Sequence, residues 1–251
     1  MTLSDLESSR TILAVSGLTK TFGALKAVDD ISFDVAPGEI LGIAGPNGSG
    51  KSTLFNAITR IPFSATAGVV LFEGQEVHHL LPHDIATAGI ARTFQRESVF
   101  PSLSAIDNVL TAIEQTRRGG SFQRNVVLAE QALDVVGFPA TLHNWRAAEL
   151  PIFLRKLVMI GSAMALDPKI LLLDEPASSL TPEEIERMRA LIANLKAMNV
   201  TILLIEHVLP LLTSVSDRLM VMDQGRIIAM GAPDAVIRDP NVVEAYLGVA
   251  I

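Results

Sequence analysis

The fold of this chain is decided by one stretch, Gly45-Pro46-Asn47-Gly48-Ser49-Gly50-Lys51-Ser52-Thr53. The stretch matches G-x-x-x-x-G-K-[ST], the pattern of a loop that binds the phosphates of a nucleotide. Its three glycines allow backbone conformations that other residues avoid, and they turn backbone N–H groups toward a phosphate. We expect Lys51 to place its charge at the β- and γ-phosphates and the Ser52 hydroxyl to hold Mg²⁺.

The segments on either side of this loop support the same interpretation. Residues 39–44 form a mostly apolar run that predicts a buried strand, and residues 54–58 open a helix. The N-terminus of a helix attracts anions because its first N–H groups have no partner within the helix. The alternative is a glycine-rich turn between a strand and a helix, but the complete motif in this context favours a nucleotide site.

Composition restricts the kinds of protein that this chain can be. Its 251 residues, 49% of them hydrophobic, can form a large α/β domain with a substantial core. The formal charge of −7 disfavours nucleic acid as the main partner, since phosphate backbones attract basic faces. The absence of cysteine excludes disulfides and thiolate metal sites and is typical of a reducing cytoplasm. We expect residues 1–10 to be flexible, and we expect neither a secretion signal nor a membrane-spanning helix.

Periodicity predicts one domain over residues 1–251, with a parallel-sheet core, an antiparallel edge sheet and a helical subdomain inserted at about residues 96–165. The apolar run 170–173 is typical of a central parallel strand, whereas the alternation in 31–35 suits an antiparallel sheet. Residues 181–184 predict a helix start, because they supply a cap, a proline and two acids. The remaining predictions are strands at 11–15, 68–72, 89–95 and 200–205, helices at 104–117, 121–136, 150–166, 234–237 and 242–247, and a hairpin of 218–222 with 226–230.

Two adjacent acids, Asp174 and Glu175, follow the strand at 170–173. In open parallel sheets, ligands bind outside the carboxyl ends of the strands. We expect Asp174 to hold the hydration shell of Mg²⁺ and Glu175 to polarise a water toward the γ-phosphate. An acidic pair after a strand is more often a turn or a helix cap, but the upstream phosphate loop favours the catalytic role.

Three histidines, His78, His79 and His83, fall in the polar segment after the strand at 68–72. A metal site is one explanation, but no carboxylate pair accompanies them in the sequence. A solvated loop is the better explanation, and the role of these histidines stays open.

With its motifs in this order, the chain resembles the ATP-binding subunit of an ABC transporter from about residue 13 to residue 248. The resemblance implies that Phe22 stacks on adenine, the alternative being a core phenylalanine. It also implies that Gln95, in Ala91-Arg92-Thr93-Phe94-Gln95, touches Mg²⁺ and senses the membrane subunit.

Two later motifs extend the resemblance. His207 follows an apolar run, as the family's switch histidine does, and the resemblance implies a contact with the γ-phosphate. The segment Ala177-Ser178-Ser179-Leu180-Thr181 is similar to the family's D-loop, with Thr181 where aspartate is commoner. Within the family, the segment 91–95, the insert at 118–125 and the ending 243–248 are most similar to the larger ATPase of importers for branched-chain amino acids.

One motif departs from the family pattern. The signature, of the type L-S-G-G-Q, should lie where this chain has Leu150-Pro151-Ile152-Phe153-Leu154. In the family, this segment binds the γ-phosphate of ATP held by the opposite subunit of a head-to-tail pair. Pro151 has neither a hydroxyl nor an N–H group, and the bulky side chains after it would obstruct a phosphate. We therefore expect a heterodimer with a different ATPase whose signature is complete. The alternative is that Pro151 simply starts a helix, with Ile152 and Phe153 packed into the core of the helical subdomain.

The motifs predict an ATPase that binds ATP and Mg²⁺, and the resemblance implies that it powers a membrane importer for branched-chain or related small amino acids. It would dock on integral membrane subunits at the cytoplasmic face of the membrane, with a solute-binding protein as an indirect partner. Similar ATPases serve urea or amide import and lipid export, so the solute and the direction of transport stay open. Three further functions compete with this one: an ABC ATPase acting on DNA or ribosomes, a P-loop kinase, and a regulatory subunit that binds ATP with little turnover.

Overall fold

The computed structural model describes residues 11–95, 98–114 and 120–247. The terminus predicted to be flexible, residues 1–10, lies outside them. Within the described ranges, no helix combines the length and the apolarity that crossing a bilayer requires.

The described residues form ten strands and nine α-helices. In chain order they are β1 (Leu13–Phe22), β2 (Leu25–Val35), β3 (Ile40–Ala44), α1 (Lys51–Thr59), β4 (Ala67–Phe72), β5 (Gln75–Glu76), α2 (Pro82–Ala88), β6 (Ile90–Arg92), α3 (Ala105–Glu114), α4 (Phe122–Val135), α5 (Ile152–Met164), β7 (Ile170–Asp174), α6 (Pro182–Ala197), β8 (Thr201–Ile205), α7 (Leu209–Val215), β9 (Arg218–Asp223), β10 (Arg226–Gly231), α8 (Pro233–Val236) and α9 (Pro240–Leu247).

The described residues divide into two compact units, the first made of those up to residue 82 and from residue 196 onward, and the second of those between residues 83 and 195. The first unit contains an antiparallel sheet with the strand order β2-β1-β4-β5, as predicted for the edge sheet. It also contains β3, which pairs in parallel with both β8 and β9, while β10 returns antiparallel to β9. Every residue of β3 and β8 is buried, which explains why both strands are apolar except for Thr201 at the start of β8.

The second unit contains the parallel pair β6 and β7 and the helices α3, α4 and α5, which pack against one another. The predicted starts of α4 and α6 are confirmed by their caps. Ser121 caps α4 by accepting a hydrogen bond from the Arg124 N–H at 3.4 Å. Thr181 and Glu184 form a reciprocal cap before α6, with side chain to backbone distances of 3.3 and 2.9 Å.

The predicted edges of three strands are wrong. β2 begins at Leu25 rather than at residue 31, since its pairing with β1 continues to Leu25 opposite Phe22. β1 continues to Phe22 rather than ending at residue 15, because a bulge at Gly17, with φ of 60°, breaks the alternation without ending the strand. β6 stops at Arg92 rather than at Gln95, since only the Thr93 N–H continues the pairing, to Leu172 O at 2.9 Å.

Two helices were not predicted. Both α2 and α7 are seven residues long, so neither presents enough turns for a helical period to show in the sequence. As a result, His83 lies in α2 rather than in a loop.

Candidate functional site

The phosphate loop follows β3 and leads into α1. Gly45, Gly48 and Gly50 all have positive φ, at 143°, 81° and 104°. Two of them could not carry a side chain. A Cβ on Gly45 would lie 2.1 Å from Met222 O, and one on Gly50 would lie 2.2 Å from Ala27 O. The glycines are therefore required both by their conformation and by close packing against neighbouring backbone.

Lys51 is buried within this loop. Its Nζ donates hydrogen bonds to Gly45 O at 2.8 Å and to Pro46 O at 2.9 Å, and lies 3.4 Å from Ser49 Oγ. Ser52 and Thr53 follow in the first turn of α1, which Gly50 caps. The ammonium group, the hydroxyls and the positive end of the helix dipole thus belong to one loop, which is the arrangement that phosphate binding requires.

The turn between β9 and β10 supports the phosphate loop. The Gly225 N–H donates to Ser49 O at 3.0 Å, and its carbonyl accepts from the Asp29 N–H at 2.9 Å. The Asp29 carboxylate also accepts hydrogen bonds from Lys26 at 2.8 Å and from Arg226 at 2.6 Å. These two cations hold the pKa of Asp29 below its ordinary value. The sequence predicted the hairpin but not that its turn would support the phosphate loop.

Phe22 lies at the end of β1, where the chain turns into β2. Its side chain is 45% exposed, so the alternative of a core phenylalanine is wrong. The ring meets Phe63 edge to face at a centroid distance of 5.0 Å, and Lys20 Nζ lies 5.1 Å from the Phe22 centroid and 4.7 Å from that of Phe63. An exposed aromatic beside a cation can stack on a planar ring, although the stacking on adenine stays a prediction.

His207 follows β8 and is exposed, whereas Glu206 before it is buried. The His207 N–H donates to Glu206 Oε2 at 3.1 Å, which orients the backbone at the end of the strand. Elsewhere in the same unit, Glu76, His78 and His79 place one ligand atom each within 4.8 Å of one another. The structure thus places the Glu76 carboxylate beside His78 and His79, two of the three histidines whose role the sequence left open.

In the second unit, Asp174 ends β7 and is buried. Its Oδ2 accepts a hydrogen bond from an Arg92 terminal nitrogen at 2.9 Å, and both side chains are almost fully buried. Burial lowers the pKa of the Arg92 guanidinium, and the bond to Asp174 opposes that shift. Arg92 also lies over the Phe94 ring, 4.9 Å from its centroid. The sequence did not predict that Arg92 would pair with the candidate magnesium ligand.

Glu175 follows with φ of 53°, an uncommon backbone conformation for a residue other than glycine. Its Oε2 accepts a hydrogen bond from Gln95 Nε2 at 2.8 Å, so the structure brings together two of the predicted site residues. Lys156, buried on α5, donates from Nζ to Glu175 O at 3.3 Å and to Ser178 Oγ at 3.1 Å. Its position between Phe153 and Ile160, on the buried face of an apolar helix, was the signal that could have identified it.

The altered signature segment forms the start of α5. Pro151 occupies the N-cap position, and no side chain caps the helix there. Ile152 is 38% exposed, whereas Phe153 is only 4% exposed and lies under the Arg187 guanidinium at 4.3 Å from the ring centroid. The alternative in which both side chains pack into the core therefore holds for Phe153 and not for Ile152.

The predicted site residues are thus divided between the two units. Phe22, the phosphate loop and His207 belong to the first, and Gln95, Asp174 and Glu175 belong to the second.

Comparison with known proteins agrees with these motifs. A family model described as ABC transporter matches residues 28–178, and one described as branched-chain amino acid ATP-binding cassette transporter matches residues 226–251. The high-affinity branched-chain amino acid transport ATP-binding protein BraF of Pseudomonas aeruginosa is 37% identical over 256 residues, which cover 96% of this chain and 100% of that protein. LivG of Escherichia coli K12, which carries the same description, is 36% identical over 255 residues, with the same coverage.

Solved structures show the same fold. A nucleotide-free ATP-binding cassette from an ABC transporter superimposes with a TM-score of 0.84 at 34% identity, covering 95% of this chain and all of that one. A structure of the ADP conformation of an ATP-binding cassette of an ABC transporter has the same TM-score and identity and covers 96% of this chain.

Proposed function

Because the chain belongs to the ABC transporter family, we propose that it hydrolyses MgATP to drive the import of branched-chain amino acids through membrane subunits on which it docks. The observation that carries the ATPase role is the phosphate loop, whose buried Lys51 and closely packed glycines match what polyphosphate binding requires. The solute class is supported by the names of the relatives and by the match over residues 226–251.

Each site residue has a role that its surroundings support. Lys51 would bind the β- and γ-phosphates, His207 would contact the γ-phosphate, and Phe22 would stack on adenine. Glu175 would accept a proton from the attacking water, since its carboxylate is buried and oriented by Gln95.

The residues present fit a magnesium ion. Ser52, Gln95 and Asp174 offer oxygen ligands only, the set that Mg²⁺ prefers. When bound, the ion would neutralise charge on the β- and γ-phosphates. The Arg92 guanidinium lies 2.9 Å from the Asp174 carboxylate and orients it, and the carboxylate would serve as a ligand or hold a hydrating water.

We infer that the chain works at the cytoplasmic face of the membrane, bound to integral membrane subunits. The support is its family and the transport role in the names of its relatives. A solute-binding protein would be an indirect partner, and nucleic acid would not be one.

The start of α5 supports pairing with a second, different ATPase. At the position of the family's signature serine, Pro151 lacks both a hydroxyl and an N–H group, and the exposed Ile152 side chain projects at the helix end. A homodimer would carry this defect at both nucleotides. With a partner whose signature is complete, the site built on Lys51 and Glu175 would be active and the opposite site would be weak.

The same segment favours a second candidate, an ATP-binding half with little turnover that regulates its partner. ATPase assays of the purified chain alone, and then with its partner, separate these cases. Robust cooperative hydrolysis by the chain alone would exclude both the obligatory heterodimer and the regulatory role. In the heterodimer proposal, ATP hydrolysis by the complex depends on Lys51 of this chain. Hydrolysis that needs the partner but persists after Lys51→Ala in this chain would therefore favour the regulatory role.

The transport function is tested in vesicles that contain the membrane subunits, this chain and the solute-binding protein. We expect ATP-dependent uptake of labelled leucine and isoleucine that is lost in Lys51→Ala. Uptake of urea without uptake of either amino acid would overturn the solute assignment, and a chain that binds no MgATP would overturn the ATPase role.

A further inference from the structure

Tyr246 of α9 contacts the phosphate loop directly. Its hydroxyl oxygen accepts a hydrogen bond from the Gly45 N–H at 2.8 Å, across a sequence separation of 201 positions. Gly45 is the first residue of the loop. The contact therefore connects the last helix of the described chain to the segment that binds phosphates.

Gly45 links Tyr246 to Lys51 through two hydrogen bonds. Its N–H binds the Tyr246 oxygen, and its carbonyl oxygen accepts a hydrogen bond from Lys51 Nζ at 2.8 Å. Because a glycine has little conformational preference of its own, its φ and ψ must be held by its contacts. On the other side, the β9 backbone confines it, since Met222 O occupies the space where a Cβ would lie. Tyr246 and β9 together orient the carbonyl that receives the lysine.

The surroundings of α9 make this hydrogen bond important. An apolar pocket of about 240 Å³, open to the surface, lies beside the helix and is lined by the Tyr246 ring and by side chains that include Leu219, Val221 and Val242. An eight-residue helix at the surface, beside such a pocket, is held by fewer contacts than a core helix, so one hydrogen bond is a large share of what fixes it.

We propose that Tyr246 is a positioning residue of the phosphate loop, and that the docking of α9 and the occupancy of the loop by nucleotide are coupled through the contact between Tyr246 and Gly45. This rests on the proposed MgATP function. Coupling between two sites is reciprocal, so docked α9 strengthens nucleotide binding and bound nucleotide strengthens the docking of α9.

The first test removes only the hydroxyl. Tyr246→Phe keeps the ring in its seat and leaves the Gly45 N–H without its partner. We expect the Kd for MgATP to rise about three- to tenfold, the effect of one neutral hydrogen bond, with KM rising more than kcat falls. Glu244→Gln, an exposed change on the same helix, is the matched control and should leave both unchanged. A Kd for Tyr246→Phe within about twofold of the wild-type value would overturn the proposal.

The second test uses amide hydrogen exchange in the full-length chain. In the wild type, MgATP should slow exchange of the α9 amides, and unchanged α9 exchange would overturn the coupling even if Tyr246→Phe failed to fold. Without nucleotide, the Gly45 amide should exchange faster in Tyr246→Phe than in the wild type. Faster exchange would support the positioning role, and equal exchange would overturn it. A wild type that bound no MgATP would contradict the proposed function but not the positioning role.

Discussion

The side-chain amide of Gln95 donates a hydrogen bond to the Glu175 carboxylate at 2.8 Å, although 80 positions separate the two residues. Gln95 follows β6 and Glu175 follows β7, and these strands pair in parallel. The carboxyl ends of both strands therefore lie at the same edge of the pair, which explains why the two side chains meet.

Glu175→Gln is expected to keep MgATP binding and to reduce hydrolysis by on the order of a hundredfold or more, because an amide cannot accept the proton of the attacking water. The substituted side chain still has an oxygen that can accept from Gln95, so the local structure should persist. Affinity and single-turnover hydrolysis would be measured in the assembled complex, with the exposed Glu183→Gln as control. Turnover near the wild-type rate would remove Glu175 from catalysis.

Gln95→Ala should impair transport more than basal ATP hydrolysis. Glu175 would lose one donor but keep its carboxylate, whereas the link from β6 toward the helices that follow it would be lost. Uptake and ATPase activity would be measured in the same vesicles. An equal loss of both would instead make Gln95 a simple Mg²⁺ ligand.

Arg92→Leu should destabilise the nucleotide-free protein by about 3 kcal/mol or more, because it removes the positive charge that faces the buried Asp174 carboxylate. Magnesium nucleotide should restore more stability to this variant than to the wild type, since the cation would supply the missing positive charge. Denaturant unfolding with and without MgADP tests both points. Arg92→Lys, which keeps the positive charge, should lose less stability than Arg92→Leu. Equal unfolding midpoints for Arg92→Leu and the wild type would contradict the prediction.

At the altered signature, Pro151→Ser should stabilise the chain by about 1 kcal/mol, because serine at the uncapped start of α5 can accept a hydrogen bond from the first turn. Phe153→Gly should destabilise it by about 3 kcal/mol or more, since the ring is buried under Arg187. Urea unfolding measures both. If Phe153→Gly left stability unchanged, the ring would not be part of the packing, and a glycine there would carry no structural penalty.

The ionisation of Tyr246 can be followed directly, because the chain contains a single tyrosine. Burial raises the pKa of its phenol above the ordinary value of 10.0, while the Gly45 N–H opposes that shift. A raised pKa in the folded state means that the phenol supports docking of α9 fully below pH 10.0 and loses that support as the pH rises through the folded pKa.

Tyrosinate absorbance should therefore titrate at higher pH in the native protein than in denaturant. A native midpoint at or below the denatured one would show that the phenol is not desolvated in its seat on α9.

The phosphate loop, the acid pair and most strands and helices could be predicted from the sequence because they depend on residues close together in the chain. A glycine-rich turn between a buried strand and a helix is a local pattern, and so is the reciprocal cap of Thr181 and Glu184. The phosphate loop places Lys51 and Ser52 by their spacing alone. For the same reason, the departure at Leu150-Pro151-Ile152-Phe153-Leu154 is evident from the sequence alone.

The tertiary structure alone decided which side chains support those motifs. Arg92 and Asp174 are 82 positions apart and Tyr246 and Gly45 are 201 apart, so no periodicity connects them. Such pairs depend on the parallel register of β6 with β7 and on the packing of α9 beside β9. Chain segments distant in sequence meet only through packing, and for that reason Lys156 and Tyr246 were missed as supports of the candidate site.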